Sequence, residues 1–160
     1  MTIQVGDKLP QITLSTMTGE GPKPVSLEEL CAGKKVVLFA VPGAFTPACS
    51  TQHLPGYVTN AGNLKEKGVD VVACISVNDP FVMGAWGKDR SAGEEVLMLA
   101  DGNAEFTTAI GLEMDGSGFG LGKRSQRYVM IIDDGVVSTL NVESGPGVDV
   151  SSAETILAAI

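Results

Sequence analysis

Cys49 is the residue whose surroundings in the sequence most favour chemistry. It ends the segment Pro42-Gly43-Ala44-Phe45-Thr46-Pro47-Ala48-Cys49, which follows an apolar run. Pro47 suits the first position of a helix, where its missing N–H costs nothing, and Thr46 would cap that helix. Cys49 would then lie in the first helical turn, where free N–H groups and the helix dipole favour the thiolate, the reactive form. The spacing predicts a nucleophilic cysteine, with the Thr46 hydroxyl and the sulfur aimed at one small volume.

Two other interpretations of the same segment stay open at this point. Cys49 could be a small apolar residue that packs in a first turn. His53 follows Cys49 by one helical turn, so the two could form the nucleophile and base of a cysteine hydrolase, although packing of His53 on the helix is the simpler reading.

The elements that must position Cys49 follow from apolar patterning and from Gly, Pro and capping residues. The continuous β-branched run 35–41 predicts a strand buried on both faces, and Pro42 ends it. Residues 18–24 are rich in Gly and Pro and predict a loop, as do residues 116–122. Further strands are predicted at 69–77, 96–100, 127–133 and 136–142. Helices are predicted at 26–30, 47–67 with a break near Pro55-Gly56, 81–89, 104–110 and 153–160.

Helices between the first strands indicate parallel pairing, and Asp134-Gly135 predicts a tight hairpin that adds an antiparallel edge. Together they predict a mixed α/β sandwich. The 160 residues are about one domain's worth, so we expect a single domain over residues 1–160.

Composition excludes several classes of protein. The net charge of −8 argues against a nucleic-acid surface, which needs clustered Lys and Arg. Residues 36–41 form the longest strongly apolar run, far short of the roughly 20 residues of a membrane span. No secretory signal is visible at the N-terminus.

The three cysteines are few and odd in number, which favours a reducing compartment, and we expect a cytoplasmic protein. With one histidine and no C-x-x-C pair, we expect no metal site.

The segment that ends at Cys49 resembles the active-site motif Pro-x-x-x-Thr-x-x-Cys of the peroxiredoxins. The longer stretch 37–50 is similar to the peroxiredoxin-5 type, also called type II, and so are residues 53–56, 72–79 and 140–143. This resemblance implies a thioredoxin-like fold, with a central mixed sheet flanked by helices. It implies a peroxidase that reduces hydrogen peroxide and alkyl hydroperoxides without a metal or organic cofactor, and a homodimer.

The resemblance also implies roles for four residues. Cys49 corresponds to the peroxidatic nucleophile, which becomes a sulfenic acid, and Thr46 to the hydroxyl that hydrogen-bonds both sulfur and peroxide. Pro42 corresponds to the residue that shields the thiolate. Arg127 corresponds to the arginine that stabilises the thiolate; from the residues alone it would be an exposed basic residue beside Lys123 and Arg124.

The thiol that closes the cycle is the point where this chain departs from some relatives. They carry a resolving cysteine after a Gly-x-Gly, and here residues 145–151 contain none. Cys74 falls in a predicted buried strand and is expected to be inert; Cys31 ends a short helix, where it could be exposed. We therefore expect recycling by an external thiol, glutathione with glutaredoxin, with thioredoxin as the competing donor. The alternative function is a peroxide-sensing or chaperone-like switch. Phe45, Phe119 and Leu121 could accommodate an alkyl chain.

Overall fold

The computed structural model describes all residues, 1–160, and contains nine strands and five α-helices. The strands are β1 (Thr13–Thr18), β2 (Gly21–Ser26), β3 (Lys35–Ala40), β4 (Val71–Ser76), β5 (Leu97–Ala100), β6 (Glu113–Asp115), β7 (Lys123–Ser125), β8 (Tyr128–Asp133) and β9 (Val136–Val142). The helices are α1 (Leu27–Cys31), α2 (Leu54–Glu66), α3 (Pro80–Asp89), α4 (Glu105–Ala109) and α5 (Ala153–Ala159).

Seven strands form one mixed sheet in the order β2-β1-β5-β4-β3-β8-β9. Strands β3, β4 and β5 are parallel, while β8 runs antiparallel to β3 and to β9. The predicted mixed α/β architecture and the thioredoxin-like fold are confirmed. No helix is both long enough and apolar enough to cross a membrane.

Strand β3 lies inside the sheet and divides its side chains between two cores, as its unbroken apolar run predicts. Val37 and Phe39 enter the core that α2, α3 and α5 cover, which also holds Cys49. Val36 and Leu38 enter the core on the opposite face. The strand is thereby fixed from both sides, and the chain leaves it at a defined point next to Pro42.

The prediction of a loop over residues 18–24 is wrong. Strand β2 begins at Gly21 and pairs with β1, placing Pro22 opposite Met17 and Pro24 opposite Ser15. β2 is an edge strand of the sheet, where one row of N–H groups needs no partner, so proline is tolerated there. The predicted loop at 116–122 is flanked by a small hairpin, β6 with β7, that the sequence did not reveal.

The irregularity in the predicted helix 47–67 lies earlier than Pro55-Gly56. Residues Cys49–His53 form a π-helical turn, and Pro55 is accommodated in the first turn of α2. A π turn widens the helix by one residue and is frequent at functional sites.

Polar side chains cap α1 and α3. Ser26 accepts a hydrogen bond from the Glu29 N–H at the start of α1, and Asp79 accepts one from the Val82 N–H at the start of α3. Asp134 and Gly135 both have positive φ, 49° and 81°, as a tight hairpin turn requires.

Candidate active site

The turn after β3 is held by the turn after β4, its parallel neighbour. The Ala44 N–H donates a 3.0 Å hydrogen bond to Asn78 Oδ1, which also accepts a 2.6 Å bond from the Ser76 hydroxyl. Phe45 takes a positive φ of 64° in this turn, an unfavourable conformation for an aromatic residue that is often found at functional sites. The carboxyl ends of two adjacent strands thus support the segment that leads to Cys49.

Cys49 lies in the π turn with no exposed surface, and its sulfur accepts a hydrogen bond from Arg127. The donor Nη2 of Arg127 is 3.1 Å from Sγ. Arg127 immediately precedes β8, the neighbour of β3 in the sheet, and only 6% of it is exposed. The interpretation of Arg127 as an exposed basic residue is therefore wrong. A buried guanidinium against the sulfur favours the thiolate over the thiol.

Thr46 lies at the wall of the site, but its hydroxyl has a different partner from the one expected. Oγ1 donates a 2.6 Å hydrogen bond to the Gly43 carbonyl, and no hydrogen bond joins Thr46 to Cys49. The hydroxyl also does not cap the helix, although the Thr46 carbonyl accepts the Ser50 N–H at 3.0 Å. Because its hydrogen is engaged, the Thr46 oxygen faces any further partner as an acceptor.

His53 belongs to the site. The expectation that it only packs on the helix is wrong. Its Nδ1 is 2.9 Å from Arg127 Nη1, and its Nε2 is 3.0 Å from the Ser151 carbonyl. A carbonyl and a guanidinium fix the tautomer, since Nε2 must donate and Nδ1 must accept. Burial, and then the charge of Arg127, lower the pKa of His53 to about 3. His53 is neutral, and neither nitrogen is free to act as a base on Cys49, which counts against a cysteine hydrolase.

Glu143, directly after β9, is a second residue whose role its sequence position does not reveal. Its Oε2 accepts hydrogen bonds from the Asp149 N–H, the Ser151 N–H and the Ser151 hydroxyl at 2.7, 2.8 and 2.6 Å. Burial raises the pKa of this carboxyl, but the hydrogen bonds outweigh it and leave the pKa below the ordinary value. The pattern of the sequence around residue 143 holds no signal for these long-range contacts.

A cleft of about 570 Å³ is lined by residues 46–48, directly before Cys49, and by Arg127, while Cys49 itself does not line it. Its charged groups are Arg127 and Glu143, and Phe119 and Leu121 lie in its wall as expected, whereas Phe45 does not line it. The remaining lining residues are Pro42, Thr46, Pro47, Ala48, Met114, Gln126, Ser144, Gly145 and Pro146. The cleft can hold a small polar group beside Arg127 and an apolar chain farther out.

The other two cysteines are buried and form no disulfide. Cys74 lies in β4 with no exposed surface, in the same core as Cys49, and burial raises its pKa well above the ordinary value. Cys31 is only 1% exposed and lies in the core on the opposite face of the sheet, so the expectation that it could be exposed is wrong. Burial raises the pKa of Cys31 to about 11.

A second cleft, of about 530 Å³, lies between β1, α3 and β5 and is lined by no cysteine or histidine. Groups of three or more His, Cys, Asp or Glu side chains with metal-binding geometry are absent. Cys49, Arg127 and His53 are therefore the one place where a cysteine, a histidine and an arginine contact one another.

Comparisons with known proteins agree on one family. The Redoxin family model matches residues 4–157. The chain is 55% identical to peroxiredoxin-2E, chloroplastic, of Arabidopsis thaliana, over 99% of this chain and 70% of that protein. It is 50% identical to peroxiredoxin-2B of the same plant, over 99% of this chain and 98% of that protein.

Solved structures give the same result. Reduced Prx3 of Vibrio vulnificus in complex with H₂O₂ is 63% identical, covers 99% of both chains and superposes with a TM-score of 0.94. Peroxiredoxin 5 of Alvinella pompejana is 36% identical with a TM-score of 0.85, over 98% of this chain and 97% of that one.

Proposed function

The chain belongs to the peroxiredoxin family of thiol-dependent peroxidases, and we propose that Cys49 is its peroxidatic nucleophile, assisted by Arg127, Thr46 and Pro42. The observation that carries the proposal is the 3.1 Å hydrogen bond from Arg127 Nη2 to Cys49 Sγ between two buried side chains. A permanently charged donor at this distance stabilises the thiolate relative to the thiol. We also propose that the chain is of the peroxiredoxin-5 type, on the similarity of residues 37–50 to that type.

The reaction is a displacement at one peroxide oxygen. The Cys49 thiolate attacks the terminal oxygen, an S–O bond forms, and the O–O bond breaks. Sulfur is oxidised to a sulfenic acid, and the other oxygen is reduced and leaves as alkoxide or hydroxide, which takes a proton to become alcohol or water. Arg127 stabilises the developing charge, and Thr46 accepts a hydrogen bond from the peroxide O–H.

The substrate class is hydrogen peroxide and alkyl hydroperoxides. A peroxide group fits beside Arg127, and the apolar wall around Phe119 and Leu121 accommodates an alkyl chain. Because Cys49 has no exposed surface, peroxide reaches the sulfur only when the wall of the cleft moves.

An external thiol, glutathione with glutaredoxin, returns the sulfenic acid to thiol. Support comes from the lack of cysteine in residues 145–151 and from the burial of both other thiols. Cys31 lies on the other side of the sheet from Cys49, which disfavours a bond between them. We propose a cytosolic location, because the three cysteines are few and odd in number, as in proteins of a reducing compartment. Fractionation of the source cells followed by immunodetection tests that location.

A homodimer is the assembly we propose. Phe45, Phe81 and Phe119 are 52%, 65% and 88% exposed, and they lie in the active-site turn, the first turn of α3 and the cleft wall. Aromatic residues are enriched in protein interfaces, which makes these exposed side chains candidates for the dimer contact. Sedimentation of the chain and of Phe81→Ser tests the dimer; a monomeric wild-type chain excludes it.

The decisive experiment measures hydroperoxide consumption by the reduced protein with glutathione and glutaredoxin, or with thioredoxin and its reductase. Continuous turnover that Cys49→Ser abolishes is expected, with glutaredoxin the better donor. A peroxide sensor would instead stop after about one equivalent. Mass mapping after peroxide treatment tests the cycle, since a stoichiometric Cys49–Cys74 or Cys31–Cys49 disulfide would exclude a one-cysteine mechanism.

A further inference from the structure

The segment that follows β9 is folded around a single carboxylate oxygen. Oε2 of Glu143 accepts hydrogen bonds from Asp149 N–H, Ser151 N–H and Ser151 Oγ, at 2.7, 2.8 and 2.6 Å. Bonds to a charged acceptor are stronger than bonds between neutral groups, and three of them on one atom fix the segment in a single arrangement. Glu143 thereby determines where Ser151 lies.

Ser151 in turn presents its carbonyl to the interior. The residue is fully buried, and its carbonyl accepts hydrogen bonds from His53 Nε2 at 3.0 Å and from the Tyr57 hydroxyl at 2.7 Å. The carbonyl is the only hydrogen-bond partner of Nε2, so it sets both the tautomer and the orientation of the His53 ring. With Nε2 protonated, Nδ1 is available to Arg127.

The guanidinium of Arg127 depends on this acceptor. Its hydrogen-bond partners are His53 Nδ1, 2.9 Å from Nη1, and Cys49 Sγ, 3.1 Å from Nη2, while Nε is buried without a partner. The Arg127 carbonyl also accepts the Glu143 N–H at 3.0 Å. Glu143 thus holds Arg127 directly through the backbone and indirectly through Ser151 and His53.

We propose that Glu143 is a positioning residue for the peroxidatic centre, holding Arg127 Nη2 against Cys49 Sγ through the Ser151 carbonyl and the neutral His53 ring. This inference rests on the proposed role of Cys49. Glu143 touches neither the sulfur nor, in this role, the peroxide. Its effect is to keep the guanidinium in one orientation before the peroxide arrives.

The first measurement compares Glu143→Ala, Glu143→Gln and Ser151→Ala with the wild-type chain. The readouts are the second-order rate with hydrogen peroxide and the fraction of Cys49 present as thiolate at neutral pH, from ultraviolet absorbance relative to Cys49→Ser. Glu143→Ala is expected to lower the rate on the order of 10-fold to 100-fold and to lower the thiolate fraction. Glu143→Gln keeps an oxygen at the same place and should recover most of both. Ser151→Ala removes one of the three bonds and should give a smaller loss.

The second measurement separates this relay from general destabilisation. In a His53→Phe background the link to Arg127 is already cut, so Glu143→Ala should cause little further loss of rate or thiolate. An undiminished loss in that background would overturn the proposal, as would wild-type values in both Glu143→Ala and Ser151→Ala. If Glu143→Ala does not fold, Ser151→Ala in the two backgrounds gives the same comparison. A Cys49→Ser variant with full peroxidase activity would refute the proposed function itself. The thiolate fraction is measured without turnover, so it tests the role of Glu143 separately from the peroxidase activity.

Discussion

Arg127 and His53 form a buried hydrogen bond of 2.9 Å in which the histidine is the acceptor. The guanidinium can only donate, so Nδ1 of His53 must carry its lone pair toward Nη1. Protonation of His53 would place two cations in contact and would break this bond. The neutral ring is therefore a condition for the geometry at Cys49, and proton transfer by His53 plays no part in it.

The free energy of unfolding should decrease as pH is lowered, because of His53. Its pKa is about 3 in the folded chain against 6.5 as the ordinary value, so the unfolded chain takes up the proton first. Stability is complete above the unfolded pKa and decreases as pH falls toward the folded one. The slope between about pH 5 and 6.5 should approach roughly 1.4 kcal/mol per pH unit. Urea unfolding at a series of pH values measures it.

That measurement is made in a Cys49→Ser background, which removes any proton linkage of the thiol. His53 is the only histidine, so no other imidazole titrates in this range. The matched control is Cys49→Ser with His53→Phe, whose stability should be nearly flat between about pH 5 and 6.5. The same slope in both variants would contradict the assignment of a neutral His53.

Removal of the Arg127 guanidinium should deprive Cys49 of its charged partner. Arg127→Ala is expected to lower both the thiolate fraction at neutral pH and the peroxide rate, the latter by roughly 10²–10³-fold. Arg90→Ala is the matched control, because Arg90 is 38% exposed and pairs only with Asp89 at the surface. Stopped-flow kinetics and thiolate absorbance measure both effects. Equal behaviour of the two variants would exclude Arg127 from catalysis.

Thr46→Val tests whether the threonine acts on the peroxide or on the sulfur. Because no hydrogen bond joins Thr46 to Cys49, the thiolate fraction should stay unchanged, while loss of the acceptor oxygen lowers the peroxide rate roughly 10²-fold. Thr51→Val is the control, since the Thr51 hydroxyl donates to the Pro47 carbonyl on the exposed side of the same helix. A fall in thiolate fraction in Thr46→Val would instead support a direct contact with the sulfur.

The strands that carry the site were predictable from sequence because their signals are local. Burial on both faces produces the unbroken apolar run of β3. Asp134-Gly135 specifies the tight turn between β8 and β9, because both residues take a positive φ. Strand β2 was missed because an edge position, which sequence does not reveal, is what makes Pro22 and Pro24 acceptable. The π turn at Cys49–His53 was also missed, since its i→i+5 bonding leaves no composition signal.

The site was predictable only in part. Spacing in one segment brings Thr46 and Cys49 into the same turn, and the motif resemblance singled out Arg127. The contacts of His53 with Arg127 and of Glu143 with Ser151 depend on β8, β9 and α2 meeting in space. A histidine one turn after the cysteine was visible, but its partner lies 74 residues away, and no local pattern encodes that distance.

Gly84 tests how the packing of α3 reaches the site. A Cβ at Gly84 would lie 2.6 Å from Met17 Cβ and 2.8 Å from its Cγ, so an added methyl group must push α3 away from β1. Gly84→Ala should destabilise the fold by roughly 1–3 kcal/mol. Gly62→Ala in α2 is the matched control: nothing lies within 4 Å of its Cβ, so alanine should stabilise the helix by about 0.5–1 kcal/mol.

The displacement of α3 in Gly84→Ala should also shift the turn that holds Cys49. Trp86 on the same helix donates a 2.9 Å hydrogen bond from Nε1 to the Ser50 hydroxyl in the π turn. Trp86 is the only tryptophan, so its fluorescence reports on α3 during urea unfolding and in the folded state. We expect Gly84→Ala to shift the emission and slow the reaction with peroxide, while Gly62→Ala leaves both unchanged. A destabilised Gly84→Ala with wild-type emission and rate would show that α3 can move without disturbing the segment that holds the sulfur.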